Sequence, residues 1–210
     1  MALKYMPINV NLKNASVLVV GGGAIALRKV ENLLDYDCEV TVVAPKVVDK
    51  IDYYGDNKRI KLEKREYISG EAAKYRIVIS ATDDPAINES VRRDCDDAGV
   101  LVNVVDNPPL CTFTVPAVIR RGPLSITVST DGKAPFLAGG LRVILDEFFG
   151  SHWEKIADAA TIFRRKVREK YQSDPEQQGR CFERFLGQDW KEILKNKSQE
   201  QIEQELDQLL

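Results

Sequence analysis

Histidine is almost missing from this chain. One residue in 210, His152, is the whole supply, and that excludes a His-rich metal site. The four cysteines, Cys38, Cys95, Cys111 and Cys181, are scattered and form no CxxC pair. Their spacing disfavours a zinc knuckle or redox motif and suits a reducing compartment, so a cytoplasmic location is expected. Positive charge is not in excess: the formal net charge is −2, and neither nucleic acid nor a membrane surface is expected as a partner. No apolar run reaches the roughly 18 residues of a membrane helix. The stretch from Met1 to Pro7 lacks the apolar core of a secretion signal, and none is expected. There is no nucleophile elbow, no GK[ST] phosphate loop and no HExxH. What remains is an ordinary globular composition, 44% hydrophobic and 30% charged, at a length that suits one large domain with or without a small appendage.

Against that background the stretch Val17-Leu-Val-Val-Gly-Gly-Gly-Ala-Ile-Ala26 stands out. Four apolar residues read as a buried strand, three glycines come after it, and a segment with helical spacing is next. A dinucleotide-binding turn needs this order. Gly21 allows the tight exit from the strand, and Gly22 lies within the turn. Gly23 lets the backbone approach a pyrophosphate with no Cβ in the way, and Ala26 lets the helix pack close. The helix starting near Ala24 aims unpaired N–H groups and its positive dipole end at the phosphates.

The pattern then alternates. A helix from Ala24 to about Tyr36 carries Ile25, Val30, Leu33 and Leu34 at helical spacing. A Val-rich strand, Glu39 to Ala44, stops at Pro45. Lys61 to Glu66 reads as a charged edge strand, and Glu71 to Tyr75 as at most a short helix. Arg76 to Ala81 is a buried strand that leads to a helix starting at Asp84-Pro85 and ending at Gly99. Val100 to Val105 is the fifth strand. This succession predicts an α/β fold, a Rossmann-type doubly wound parallel sheet.

The period changes after that. Thr112 to Ile119 and Leu124 to Thr130 read as two β runs joined by Arg120-Arg-Gly-Pro123. A helix from about Phe136 to Phe149 comes next, then charged helices over 153–171, 175–186 and on to Leu210. The expected organisation is a nucleotide-binding domain over 1–112, a small β/helix segment over 113–150 and a helical C-terminal region over 151–210. The stripe Ile156, Ala160, Phe163, Val167 and Tyr171 reads as core or subunit packing.

Candidate chemistry gathers where strands end. Thr82 and Asp83 come after the fourth strand, at the edge where doubly wound sheets bind ligands; they also read as caps and turn formers. Asp106 comes directly after the fifth strand, ahead of Pro108 and Pro109. A carboxylate there faces the nicotinamide end of a cofactor and could act as a general base; it equally reads as the cap of a turn. Ser129 and Thr130, beside a glycine turn and a helix start, read as an anion-binding nest or as a polar connector. Basic residues cluster at Arg28-Lys29 and Arg120-Arg121, with Lys133 and Arg142 near the second pair, and would suit a polycarboxylate ligand or a solvated surface. No acid closes the second strand for the ribose hydroxyls. Lys46, in its place, could meet a 2′-phosphate, which leaves NAD against NADP open on the residues alone. His152 reads as a helix-start surface residue.

Five motifs occur in order: VVGGGAIALRK, VTVVAP, ISATDD, NVVDNP and FTVPAVIRRGPLSITVSTDGKAP. Together, over about residues 8 to 150, they resemble the precorrin-2 dehydrogenase and sirohydrochlorin ferrochelatase family, which also occurs as the N-terminal part of bifunctional siroheme synthases. The resemblance implies an NAD cofactor and oxidation of precorrin-2, a tetrapyrrole polycarboxylate, to sirohydrochlorin. Some members also insert ferrous iron. It implies a homodimer formed through the β segment and the helices after it. Family cofactor contacts fall on Ala24, Ile25, Pro45 and Lys46, so the missing acid is a family trait and favours NAD. The family's functional aspartate falls on Asp106, and a family serine on Thr130, with Ser129 just before it. Arg120, Ser129, Thr130 and Lys133 become the candidate substrate contacts, and no metal ligand is assigned. The competing reading is a non-catalytic NAD-binding regulatory module. Such modules are expected to carry the acid after strand two, and NVVDNP has no place in them. A generic dehydrogenase would need a Tyr-Lys or His dyad that the spacing does not offer.

Overall fold

A computed structural model describes residues 5–195 and 197–210. The reading that Met1 to Pro7 is no secretion signal falls partly on residues 1–4, outside the described residues. The chain divides into two compact units, residues 1–115 and 116–210. The segments 113–150 and 151–210, read separately from sequence, fall almost wholly within the second.

The first unit is a five-stranded, fully parallel sheet. Its strands are β1 (Ser16–Val20), β2 (Glu39–Val43), β3 (Lys61–Glu63), β4 (Ile77–Ser80) and β5 (Leu101–Val104), in spatial order β3-β2-β1-β4-β5. This is the mononucleotide-binding order, with β1 at the point where the strand order reverses. Strands buried on both faces read as near-continuous apolar runs, and β1 after Ser16 and β4 up to Ser80 do. One face packs Val17, Val19, Val40, Val42, Ile77 and Ile79 against α1 (Ala24–Leu34) and α2 (Asp49–Asp56). The other packs Leu18, Val20, Val78, Val102 and Val104 against α3 (Pro85–Ala98). Each helix meets the sheet with residues at helical spacing: Ala26, Val30 and Leu33 from α1, Val91 and Cys95 from α3.

Local chemistry sets the boundaries. Asp84 caps α3 by accepting from the N–H groups of Ala86 (2.8 Å) and Ile87 (3.3 Å), and Gly99 ends it at φ 66°. Helix α2 was not anticipated. Its eight residues bury only Ile51 and Tyr54, too few turns for a period to show. The expected strand over 61–66 stops at Glu63, where Arg65 turns to bond Glu63 and Glu71.

In the second unit β6 (Ala117–Arg121) and β7 (Leu124–Val128) form an antiparallel hairpin. Arg120 and Arg121, expected in the connector, lie within β6. The connector is Gly122-Pro123 alone, and Gly122 takes φ 54°. Residues 112–113, expected to begin the β run, instead lie along β5: Thr112 N–H donates to the Val102 carbonyl at 2.8 Å. The remainder is helical: α4 (Pro135–Phe148), α5 (His152–Lys170), α6 (Pro175–Leu186), α7 (Trp190–Ile193) and α8 (Gln199–Gln208). The core shared by α5 to α8 mixes aliphatic residues with a run of stacked aromatics. Phe163 stacks on Phe185 (5.2 Å between centroids), Phe185 meets Trp190 (4.4 Å), and the Trp190 indole N–H donates to the Phe185 carbonyl at 2.6 Å. Arg121 closes the end of α4, donating to the carbonyls of Phe149 (2.6 Å) and Asp146 (3.0 Å) and pairing with the Asp146 carboxylate (2.7 Å). Among the described residues no helix is long and apolar enough to cross a membrane.

Phe163 is 1% exposed at the centre of that cluster. Phe163→Ala is expected to cost about 3–5 kcal/mol. Urea unfolding monitored by tryptophan fluorescence checks it, because both tryptophans, Trp153 and Trp190, lie in this unit.

Candidate active site

Register brings the candidate residues of the first unit to one rim. Val20 pairs with Val43 and Ser80, and Ser80 with Val104. Four parallel strands therefore end level, and the residues just past their ends lie side by side: Gly21 after β1, Pro45-Lys46 after β2, Thr82-Asp83 after β4, Asp106 after β5. At about 4.8 Å per strand, Gly21 and Asp106 stand roughly 10 Å apart along the rim.

The three glycines do different work. Gly21 has φ 119°, and a Cβ there would meet the Ala81 carbonyl oxygen at 2.3 Å. A Cβ on Gly22 would meet the Lys46 carbonyl oxygen at 2.1 Å. Neither backbone neighbour can yield. Gly23 differs: it is extended (φ −81°), it starts α1, and a Cβ there would meet nothing within 4 Å. No side chain caps α1, so the N–H groups of Ala24 and Ile25 open onto that space. An open approach beside an uncapped helix start fits a pyrophosphate.

The neighbouring loops are pinned. Val48 N–H donates to the Gly22 carbonyl at 2.9 Å and holds the Pro45-Lys46 turn against the glycines. Buried Ser80 donates to Asn88 Oδ1 (2.7 Å), and Asn88 Nδ2 donates to the Thr82 carbonyl (3.1 Å). The Thr82 hydroxyl accepts from the Asp84 N–H at 3.2 Å, while Asp83 is exposed. Beyond β5, the Cys111 sulfur accepts from the Val104 N–H (3.2 Å) and contacts the Asn107 carbonyl (3.4 Å). Asn103 donates to the Phe113 carbonyl at 3.0 Å. Burial pushes the Cys111 thiol up, against the pull of the Val104 N–H. Asp106 sits exposed at the head of this loop with φ 58°. Sequence reasoning missed Ser80, Asn88, Asn103 and Cys111. Ser80 and Asn103 could have been signalled as polar residues inside apolar strands, whereas Asn88, within α3, and Cys111, beyond β5, carried no signal.

Lys29, on α1, is half-buried. Burial and neighbouring Arg28 pull its ammonium below the ordinary lysine range, while the charges of Asp106 and Cys111 act in the opposite sense.

Arg120, Ser129, Thr130 and Lys133 belong to the second unit. Arg120 is an exposed residue of β6. The Ser129 hydroxyl accepts from the Asp131 N–H (3.2 Å) and the Thr130 hydroxyl from the Ala134 N–H (3.1 Å), around a turn in which Asp131 and Gly132 have φ 51° and 75°. Both oxygens thus serve the turn, and each keeps its hydroxyl proton to donate. Arg121, grouped with the basic residues in sequence, is committed to the end of α4. Lys133 is exposed. Among the described residues no three of His, Cys, Asp or Glu gather as a metal site.

A family model described as "Putative NAD(P)-binding" matches residues 8–117, just over half of the chain. The chain belongs to this NAD(P)-binding family. A nicotinamide cofactor is the ligand that membership implies. The chain is also 40% identical over 169 residues to a siroheme synthase of Pseudomonas putida (strain W619), covering 80% of this chain and 36% of that protein. It is 34% identical to a siroheme synthase of Nitrosococcus oceani, with the same coverage, and 34% identical to siroheme synthase 1 of Serratia proteamaculans, covering 98% of this chain and 44% of that one. It therefore spans less than half the length of these curated relatives. The resemblance carried by the five motifs stands. Among solved structures, "SirC, precorrin-2 dehydrogenase" shares the fold, with a TM-score of 0.73 at 24% identity over 98% of both chains.

Gly23 supplies a clean test. Gly23→Ala has no internal neighbour to strike and an ordinary φ, so its melting temperature should match the unaltered protein. Its affinity for a nicotinamide dinucleotide, read by calorimetric titration, should fall at least about tenfold, because the methyl group intrudes where the phosphates would approach.

Proposed function

We propose that this protein catalyses the NAD-dependent oxidation of precorrin-2 to sirohydrochlorin, a step of siroheme biosynthesis, in the cytoplasm. The observation that carries the reading is a carboxylate, Asp106, on the same sheet rim as an open glycine turn and two strands away from it. The siroheme synthase relatives support the substrate assignment. NAD is favoured over NADP because the β2 end, Ala44-Pro45-Lys46, matches the family pattern that lacks the ribose-binding acid.

The oxidation removes a hydride and a proton from a reduced tetrapyrrole. NAD, when bound, supplies the hydride acceptor. Gly22 to Ile25 would hold the pyrophosphate on backbone N–H groups, Gly21 making the turn with its own N–H on the Val43 carbonyl (2.9 Å), and Pro45, Lys46, Thr82 and Asp83 would flank the nucleotide. Asp106 takes the proton or orients the macrocycle beside the nicotinamide position. Arg120, Ser129, Thr130 and Lys133 offer cations and hydroxyl donors to the substrate's carboxylates. If ferrous iron is inserted as a second substrate, Asp106 is placed to receive the pyrrole protons.

A homodimer is part of the proposal. Helix α4 presents Phe136 (83% exposed), Ile144 (63%) and Phe148 (70%), with Leu137, Leu141 and Val143 also exposed. A continuous apolar helix face of this kind marks an interaction surface.

Purified protein, precorrin-2 and NAD should yield NADH and the sirohydrochlorin spectrum. Asp106→Asn should lower the turnover number about 10²–10⁴-fold while leaving NAD affinity within twofold. NAD binding without turnover in the unaltered protein would favour the regulatory module. For the dimer, light scattering should give twice the chain mass, and Phe136→Asp combined with Ile144→Asp should give a folded monomer.

A further inference from the structure

Lys29 stands five residues after the start of α1, between buried Ala26 and Val30. Side chains on a helix lean toward its N-terminus. The four-carbon stem of Lys29 therefore runs back toward the glycine turn and the rim that carries Asp106. The flank is the right one: Glu31, on the other side of α1, meets Tyr54 (3.2 Å) and Lys50 (2.6 Å) of α2, so Lys29 faces away from α2, toward the half of the sheet that holds β4 and β5. Asp106 and Cys111 both act on the Lys29 charge. Yet among the described residues the Lys29 ammonium makes no hydrogen bond and no ion pair.

A half-buried ammonium without a contact partner weakens the folded state, and an anion brought from outside relieves it. The cofactor's phosphates have the uncapped first turn of α1 to receive them. A polycarboxylate substrate has a different difficulty, because its carboxylates must approach Asp106, a like charge. A cation beside Asp106 removes that repulsion.

We propose that Lys29 is the positioning cation for one carboxylate of the tetrapyrrole, held at the rim next to Asp106, so that anchoring the macrocycle and presenting its reacting carbon to the carboxylate are one event. The inference rests on the precorrin-2 reading above.

The test compares the unaltered protein with Lys29→Met, which keeps the stem, and Lys29→Arg, which keeps the charge. Sirohydrochlorin is titrated anaerobically by absorbance at low and high salt, NAD by calorimetry, and each protein is melted. Lys29→Met should bind sirohydrochlorin about tenfold more weakly, as expected for one lost charged contact, with a shallower salt dependence and an unchanged NAD affinity. Its melting temperature should equal or exceed that of the unaltered protein, by about 2–4 °C at most, and Lys29→Arg should restore binding to within about threefold. Unchanged sirohydrochlorin affinity in Lys29→Met overturns the assignment. So does an equal loss of NAD affinity, which would give the cation to the cofactor, or a lowered melting temperature, which would make it structural. Failure of the unaltered protein to bind sirohydrochlorin brings down the tetrapyrrole reading itself, and this inference with it.

Discussion

The backbone at Gly21 and Gly22 has no room for a side chain, and the cofactor end of the molecule is arranged around that fact. Carbonyl oxygens of Ala81 and Lys46 lie where the two Cβ atoms would be, at 2.3 and 2.1 Å. The exit of β1 is thereby wedged between the exit of β4 and the loop after β2. Helix α1 can start only where it does, with its first N–H groups at the rim. The third glycine faces outward instead. Two glycines answer to the interior, and one answers to whatever arrives from solvent.

The loops around this wedge share a trait: each is held by specific hydrogen bonds in addition to its apolar packing. Asn88 ties Thr82 back to Ser80, Val48 ties the β2 loop to Gly22, and Cys111 folds the residues after Asp106 onto Val104. Apolar contacts are non-directional, whereas hydrogen bonds fix orientation as well as position. A rim that holds a flat cofactor ring against a flat macrocycle, as proposed above, would need orientation. The carboxylate at its end sits in a left-handed conformation, φ 58°, a modest cost that Asp tolerates better than most residues.

Much of the first unit was legible because its signals are local and strong. Apolar runs bounded by Gly or Pro gave β1, β2, β4 and β5, and the Asp84-Pro85 and Gly99 pair bracketed α3 to the residue. The rim itself could be expected from the order of elements, since parallel strands joined by helices end at one edge. Helix α2 escaped because eight residues with two apolar contacts carry almost no periodicity. The hairpin was expected one step too far along, because two arginines before Gly-Pro look like a loop. They prove to be strand, with Arg121 serving α4, and a tertiary contact of that kind leaves no trace in spacing. The pinning residues were invisible for the same reason: a lone Asn or Cys does not name its partner. Lys29 could be seen as a basic residue but not as one without a partner, which only its surroundings reveal.

On the homodimer proposed above, helix α4 would give the protein a dependence on its own abundance. Phenylalanines at 83% and 70% exposure are a surface that quality-control factors bind when nothing else covers it. A chain that finds its cover leaves that pool, and one made in excess of its cover stays in it. Holding back synthesis, or supplying a mate for the helix, would therefore alter how long each copy survives without touching the chemistry at the sheet rim.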